Sequence, residues 1–418
     1  MSKLFLRCLC VSVVAGSCLS DARSENWSRF RGANGTGLSD QTGFPSTWDA
    51  ARFEWNIELP GIGHSSPIVW KYALFVTSAV DKGAVRNLHP IDAKTGQIVW
   101  TKQMGLRQSH KHVKNSWASG TPATDGNLVY VPFADREQYT VSAFDFDANL
   151  VWRQFLGSFQ SQHGQGVSPV LFEDLVIVPN DQQGPSSIVA LNKSTGDIVW
   201  SSLRSFRKTS YSTPMLLKQS GDDDPQLICV RGQMGVTSLN PRTGELNWSS
   251  GEFPMRTVAS PIFADGMIIA SCGGGGKGKL LIGVDPNGQG DISKSHIRFK
   301  RDRSLPYVPT PVAYKDHLYL WNDNGVVTCV RLEDRKEIWT KRIGGNFSGS
   351  PICVPGRLYC MSEEGEVVVI DASPTYHLHG KTSLGDNSHS TPAVANGRMY
   401  LRTFRRLMSL PSDKSASH

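Results

Sequence analysis

One short pattern constrains this sequence more than anything else in it. A Ser-Pro or Thr-Pro pair recurs with a regular period at eight places, with prolines at Pro67, Pro122, Pro169, Pro214, Pro261, Pro311, Pro351 and Pro392. Successive prolines lie 40 to 55 residues apart, which is the length that four short strands and their turns require. A period of this size marks an architecture in which each unit buries its apolar face only against its neighbours. The chain of 418 residues holds 40 glycines, and Gly-rich turns between short strands favour an all-β fold. The expected fold is an eight-bladed β-propeller of four-stranded antiparallel blades.

The order inside each repeat is constant. An apolar strand follows the proline, then a polar turn, a second strand, a third strand ending in Asp or Asn, a tight turn, and a fourth strand carrying an aromatic. The clearest copies are Asp92-Ala93-Lys94-Thr95-Gly96 before Trp100, Asn192-Lys193-Ser194-Thr195-Gly196 before Trp200, and Asn240-Pro241-Arg242-Thr243-Gly244 before Trp248. Asp or Asn closes the turn by accepting a backbone N–H two residues on. Gly96, Gly196 and Gly244 supply the positive φ of the turn. The proline starts an inner-edge strand, where its missing N–H breaks no ladder bond. Trp100, Trp152, Trp200, Trp248 and Trp339 are apolar plates for the gaps between blades. Copies two, five, six and seven are degenerate: Asp147-Ala148-Asn149 precedes Trp152, Asp285-Pro286-Asn287-Gly288 leads to Phe299, Glu333-Asp334-Arg335-Lys336 precedes Trp339, and Asp371 is followed by neither Thr-Gly nor Trp.

The eighth copy stops after its third strand, Arg406–Leu410. Its missing fourth strand has a candidate at the other end of the chain, Phe53 to Leu59, with Trp55 in the place of Trp100. That strand is expected to complete the last blade and close the ring, hiding the sheet edges.

The pattern D-x-x-T-G-x-x-x-W resembles the repeat of the pyrroloquinoline-quinone (PQQ)-type propellers, a group that includes quinoprotein alcohol dehydrogenases and the propeller lipoprotein of outer-membrane protein assembly. The resemblance covers about residues 53–411. Residues 26–50 carry a W-x-x-F-R-G-x-x-G-x-G run similar to the N-terminal arm of exported PQQ-like repeat proteins of unassigned activity. Residues 23–52 are therefore expected to form an arm packed across the ring, and 412–418 a flexible tail.

Residues 1–22 read as an export signal: Lys3 and Arg7 precede an apolar run from Cys8 to Gly16 that is too short to span a bilayer, and Ser20-Asp21-Ala22 offers a cleavage site. Ala15-Gly16-Ser17-Cys18 resembles a lipoprotein box, with Ala15 where Leu is usual, so a lipid anchor at Cys18 is the lesser alternative. The expected location is periplasmic or secreted, with no transmembrane helix. Five cysteines lie beyond the leader, an odd number without metal-ligand spacing, and buried free thiols are expected.

The net charge of +7 is mild and its basic residues are scattered, which argues against nucleic acid. Loops joining one blade's fourth strand to the next blade's first converge on one face. They hold His64, His110, His112, Lys114, His163, Arg207, Tyr211, Arg256 and His389 and few acids. His64, Tyr211 and His389 each stand three residues before a repeat proline. The expected site is a basic, His-lined mouth suited to an anionic ligand such as an acidic glycan, a carboxylate cofactor or an acidic protein segment. No metal set is evident, since His110 and His112 lack a third ligand. Gly273 to Lys279 fails as a phosphate loop at Leu280, and the calcium-loop likeness of 285–291 fails at His296. No nucleophile or H-E-x-x-H constellation appears. The resulting expectation is a monomeric, non-catalytic binding or scaffold propeller of the cell envelope, with an envelope protein or anionic glycan as partner. A PQQ- and calcium-dependent dehydrogenase is the alternative implied by the resemblance, and surface polysaccharide binding a further one, for which Trp117 and Trp321, outside the repeat position, are the first tryptophans to consider.

Overall fold

The computed structural model describes residues 26–204, 209–218 and 224–413. The expected export segment with Cys18, together with Arg207, most of the 222–224 acidic tip and residues 414–418, lies outside them.

The described residues form eight sheets, and among them no helix is long and apolar enough to cross a membrane. Blade 1 shows the plan: Ile68–Trp70, Ala73–Val80, Val85–Asp92 and Lys102–Gly105 pair antiparallel in sequence order, from the channel outward. The two middle strands are buried along nearly their whole length because a propeller blade is covered on both faces. Fourth strands alternate instead, as in Ile198–Arg204, because their outer side meets water. The strand Trp55–Glu58 pairs antiparallel with Arg406–Pro411, Trp55 opposite Ser409, and completes blade 8. The ring is closed by the two ends of the chain. Blade 4 alone gains a fifth strand, Gly290–Asp291, parallel to Trp248–Ser249 and donated by the long turn of blade 5.

The repeated residues have contacts that explain them. The residue before each proline is confined to extended backbone, ahead of its strand, and its N–H has no ladder partner. The hydroxyl of the next blade's equivalent residue accepts it. Seven such bonds of 2.9–3.1 Å join Ser66 to Thr121, Thr121 to Ser168, Thr213 to Ser260, Ser260 to Thr310, Thr310 to Ser350, Ser350 to Thr391 and Thr391 back to Ser66. A necklace of hydroxyls thus lines the channel and ties seven of the eight neighbouring blade pairs together.

At the outer radius the tryptophans do the same. The indole N–H of Trp55 donates to the Ala93 carbonyl, Trp100 to Phe146, Trp152 to Lys193, Trp200 to Pro241 and Trp339 to Ser373. All five acceptors sit in the third-to-fourth-strand turn of the following blade. The glycine of that turn lies under the ring: a Cβ on Gly96, Gly196 or Gly244 would fall 2.8, 2.6 or 2.5 Å from Trp55, Trp152 or Trp200. These glycines therefore meet two demands, a φ of 75 to 80° and the room for an indole. Trp248 faces the enlarged turn of blade 5 and reaches it indirectly, donating to Gln226 Oε1 at 2.8 Å while Gln226 Nε2 donates to the Pro286 carbonyl. In the second repeat the turn residue is Asp145, which accepts from Asp147 and Asn149.

The arm crosses the channel. Trp27 bridges to Val69 of blade 1, Ser28 accepts from Thr124 of blade 2, and Arg29 donates to the Pro214 carbonyl of blade 4. Arg31 is wholly buried and donates to the carbonyls of Thr310, Pro311 and Pro351 in blades 6 and 7. The chain then runs over blade 7, where Tyr359 donates to the Phe44 carbonyl, before entering the closing strand.

Candidate binding site in the channel mouth

Above the arm lies a cavity of about 440 Å³. Its floor is Phe30 of the arm together with the hydroxyl necklace, and its wall is built by the inter-blade loops. Of the nine residues proposed from sequence, His64, His112, Lys114, His163, Tyr211, Arg256 and His389 line it. His110 is exposed and outside the lining, and Arg207 falls outside the described residues.

The imidazoles cluster in two groups. His64 lies 4.5 Å from His389 and stacks on Phe404 at 4.6 Å, while His112 lies 4.7 Å from His163. Burial is the main reason their charging is suppressed. His64 is held well below the ordinary imidazole value by burial, then by His389 and Arg402. His163 is pushed down to about 4 by burial and by the Arg256 guanidinium. His389 is also lowered by burial, with Glu363 acting against the shift. Near neutral pH these three rings are hydrogen-bonding groups, not cations.

That leaves few charges at the mouth. Lys114 Nζ is paired with Glu363 at 2.8 Å. Arg256 lies 3.2 Å from His163 Nε2 and 3.4 Å from Gln162 Oε1, with no carboxylate within ion-pair distance among the described residues. Because guanidinium only donates, His163 Nε2 accepts and Nδ1 carries the proton. That Nδ1 and Arg256 Nε are both buried without a partner, a cost unless an acceptor is supplied. Tyr211 hydrogen-bonds Ser161 at 2.9 Å, and burial pushes its phenol up to about 12.

Two carboxylates join the site from hairpins between second and third strands, which open on the same face as the inter-blade loops. Asp323 lines the cavity and accepts from the backbone of Tyr307 at 2.8 Å and Val308 at 3.3 Å, and burial raises its pKa. Glu363 stands behind Lys114 and His389. The signal for both was the hairpins Asn322-Asp323-Asn324-Gly325 and Glu363-Glu364-Gly365 at matching repeat positions. Arg204, the last residue of the strand Ile198–Arg204, turns inward: it and Arg231 flank Asp181 at 3.1 and 2.7 Å, all buried. Trp321 is core, edge-on to Phe347, and Trp117 donates to the Ser109 carbonyl. The glycine run near 273–279 is a hairpin with Gly275 and Gly276 at positive φ. All five described cysteines are buried and free.

A comparison with curated proteins finds no match. Among solved structures, BamB from Moraxella catarrhalis is similar at 14% identity, with 85% of this chain and 98% of that one covered and a TM-score of 0.59. The quinohemoprotein alcohol dehydrogenase from Comamonas testosteroni is similar at 13% identity, over 93% of this chain and 80% of that one, with a TM-score of 0.65. A europium-containing methanol dehydrogenase follows at 12%, 90%, 89% and 0.55. Such likeness establishes a shared propeller. A family model described as outer membrane protein assembly factor BamB matches residues 137–304 and 284–401. With five blades or more inside that match and the same repeat in the remainder, the chain belongs to this family of PQQ-like propeller repeat proteins.

Proposed function

We propose that the protein is an exported, non-catalytic binding propeller of the cell envelope, and that its channel mouth grips an anionic group of a protein partner or glycan. The observation that carries this reading is Arg256, a pocket guanidinium without a carboxylate partner, whose own Nε and the Nδ1 of the neighbouring His163 are buried without acceptors. A carboxylate or sulfate entering the cavity would give the guanidinium its missing anion. The family match, described as an assembly factor, favours a scaffold over a catalyst.

The dehydrogenase alternative rests on the shared propeller and would need PQQ with calcium. Calcium takes six to eight oxygen ligands. Asp323 already accepts two backbone N–H groups, and Glu363 is engaged by Lys114 and Ser348. The remaining side chains on the wall offer mostly imidazole, guanidinium and hydroxyl groups. This donor set does not fit the ion, and no reaction step follows from it.

The test is calorimetric titration with an oligo-glutamate peptide and with a sulfated glycan at low and high salt. At least one probe is expected to bind, with Arg256→Gln weakening it at least about tenfold, the loss of one charge-assisted bond. Equal binding by Arg256→Gln, or no binding of either probe, refutes the reading. Reduction of an artificial acceptor with simple alcohols after adding PQQ and calcium would replace it with the enzymatic one.

A further inference from the structure

On the outer rim of blade 7, far along the sheet from the channel strand, one turn carries side chains that neither the fold nor the channel uses. The turn joins Glu366–Asp371 to Leu378–Ser383. It gathers Asp371, His377 and His379, one ligand atom of each lying within 4.8 Å of the others. We propose that these three residues form a site for a first-row divalent cation of the zinc type.

Comparison between repeats shows what is unusual here. In blades 1 and 3 the equivalent residue caps its own turn: Asp92 Oδ1 accepts from Lys94 and Thr95, and Asn192 Oδ1 from Ser194 and Thr195. Those turns close with bonds from Asp92 to Gln97 and from Asn192 to Asp197. In blade 7 the closing bond runs from Asp371 to His377, one residue further on. The longer turn turns the carboxylate toward two imidazoles. Asp371 Oδ1 is 2.5 Å from His379 Nε2, and Oδ2 is 3.4 Å from His377 Nδ1.

The donor atoms are two imidazole nitrogens and one carboxylate oxygen, the kind of set that suits Zn²⁺, Co²⁺, Ni²⁺ or Cu²⁺ and not Ca²⁺ or Mg²⁺. With bonds of roughly 2.0–2.2 Å, a tetrahedral ion places its ligand atoms about 3.3 Å apart. The three donor atoms lie within 4.8 Å of one another, so side-chain rotations that change their separations by up to about 1.5 Å bring them onto an ion, which replaces the His379 hydrogen bond. His377 is 60% exposed, so a fourth position faces water or a ligand from another molecule. The turn is also the dock of the preceding blade: Trp339 donates to Ser373 and packs edge-on to Tyr376 at 5.2 Å. An ion bound here would therefore fasten the seam between blades 6 and 7.

The experiment uses untagged full-length protein stripped with chelator and titrated calorimetrically with ZnCl₂, with Co²⁺ absorption as a second readout. One equivalent is expected to bind. Asp371→Asn and His379→Gln should each weaken it at least about tenfold, while His112→Gln, in the channel, leaves it unchanged. Urea unfolding in chelator shows whether each variant is folded as the parent is. Binding weaker than about 100 μM, or binding that survives the rim variants and is lost in His112→Gln, overturns the proposal. Co²⁺ bands of an octahedral ion that do not change in Asp371→Asn would also overturn it.

Discussion

Gly96→Ala tests whether the turn glycine is there for its backbone angle or for the indole above it. Gly96 has φ 75° and would place a Cβ 2.8 Å from Trp55 Cδ2. Gly266 has a similar φ of 70°, but a Cβ there meets nothing within 4 Å. Alanine at either position costs about 1–2 kcal/mol for the left-handed backbone. At Gly96 it must also displace a ring held by its bond to the Ala93 carbonyl and by Tyr400 at 5.9 Å. Overpacking of that kind adds about 1–3 kcal/mol. Gly96→Ala should therefore lose about 2–5 kcal/mol and Gly266→Ala about 1–2. In a Trp55→Ala background the Gly96 cost should fall to the Gly266 value, a coupling of about 1–3 kcal/mol. Urea unfolding followed by far-UV circular dichroism measures the parent and its four variants without relying on tryptophan emission. Equal losses at the two glycines in the parent, within about 0.5 kcal/mol, would refute the argument that the repeat glycine is a seat for the neighbouring blade's tryptophan.

Asp181→Asn leaves the buried Arg204 and Arg231 without their anion, and should cost about 3–5 kcal/mol in the same urea assay; a loss under about 1 kcal/mol contradicts the pairing. His89, bonded to Ser78 and Thr101, is held down to about 4 by burial and then by Arg402. Its folded value lies below the ordinary 6.5, so the unfolded chain takes up the proton first. Stability is complete above 6.5 and falls as the pH drops toward 4, by about 2 kcal/mol between pH 7 and pH 5. His89→Gln should flatten unfolding free energy against pH by that amount, and an unaltered slope would exclude His89 as the cause.

The blade count and the closing strand were legible because they depend on residues with strictly local tasks. A proline that starts a strand, an Asp that caps a turn and a Trp that plugs a gap do the same work in each copy, so their spacing reports the architecture directly. Trp55 is assignable to blade 8 from the sequence because the final repeat lacks its fourth strand. The hydroxyl before the proline was visible eight times, yet its purpose was not, because its partner belongs to another repeat. The candidate site in the channel mouth was legible in part. Inter-blade loops gave the histidines and Arg256 but not Asp323 or Glu363, which arrive on hairpins that no loop inventory includes. Nor does a sequence reveal burial, which makes His64, His163 and His389 neutral and so changes a cationic rim into one dominated by a single guanidinium. Arg204 shows the same limit, since its basic charge is spent on Asp181 inside the protein. Blade 4's fifth strand was hidden for a simpler reason: two residues, Gly290 and Asp291, carry no pattern of strand character.

The arm anchored by Arg29 and Arg31 makes the central shaft a well and not a tunnel. Whatever enters must leave by the same door. An extended strand of another protein cannot be threaded through, and only an end, a side chain or a sugar terminus has the shape to be received. A partner seated over the rim would at once become the stopper for whatever lies beneath it, so residence in the well would be timed by the partner's departure.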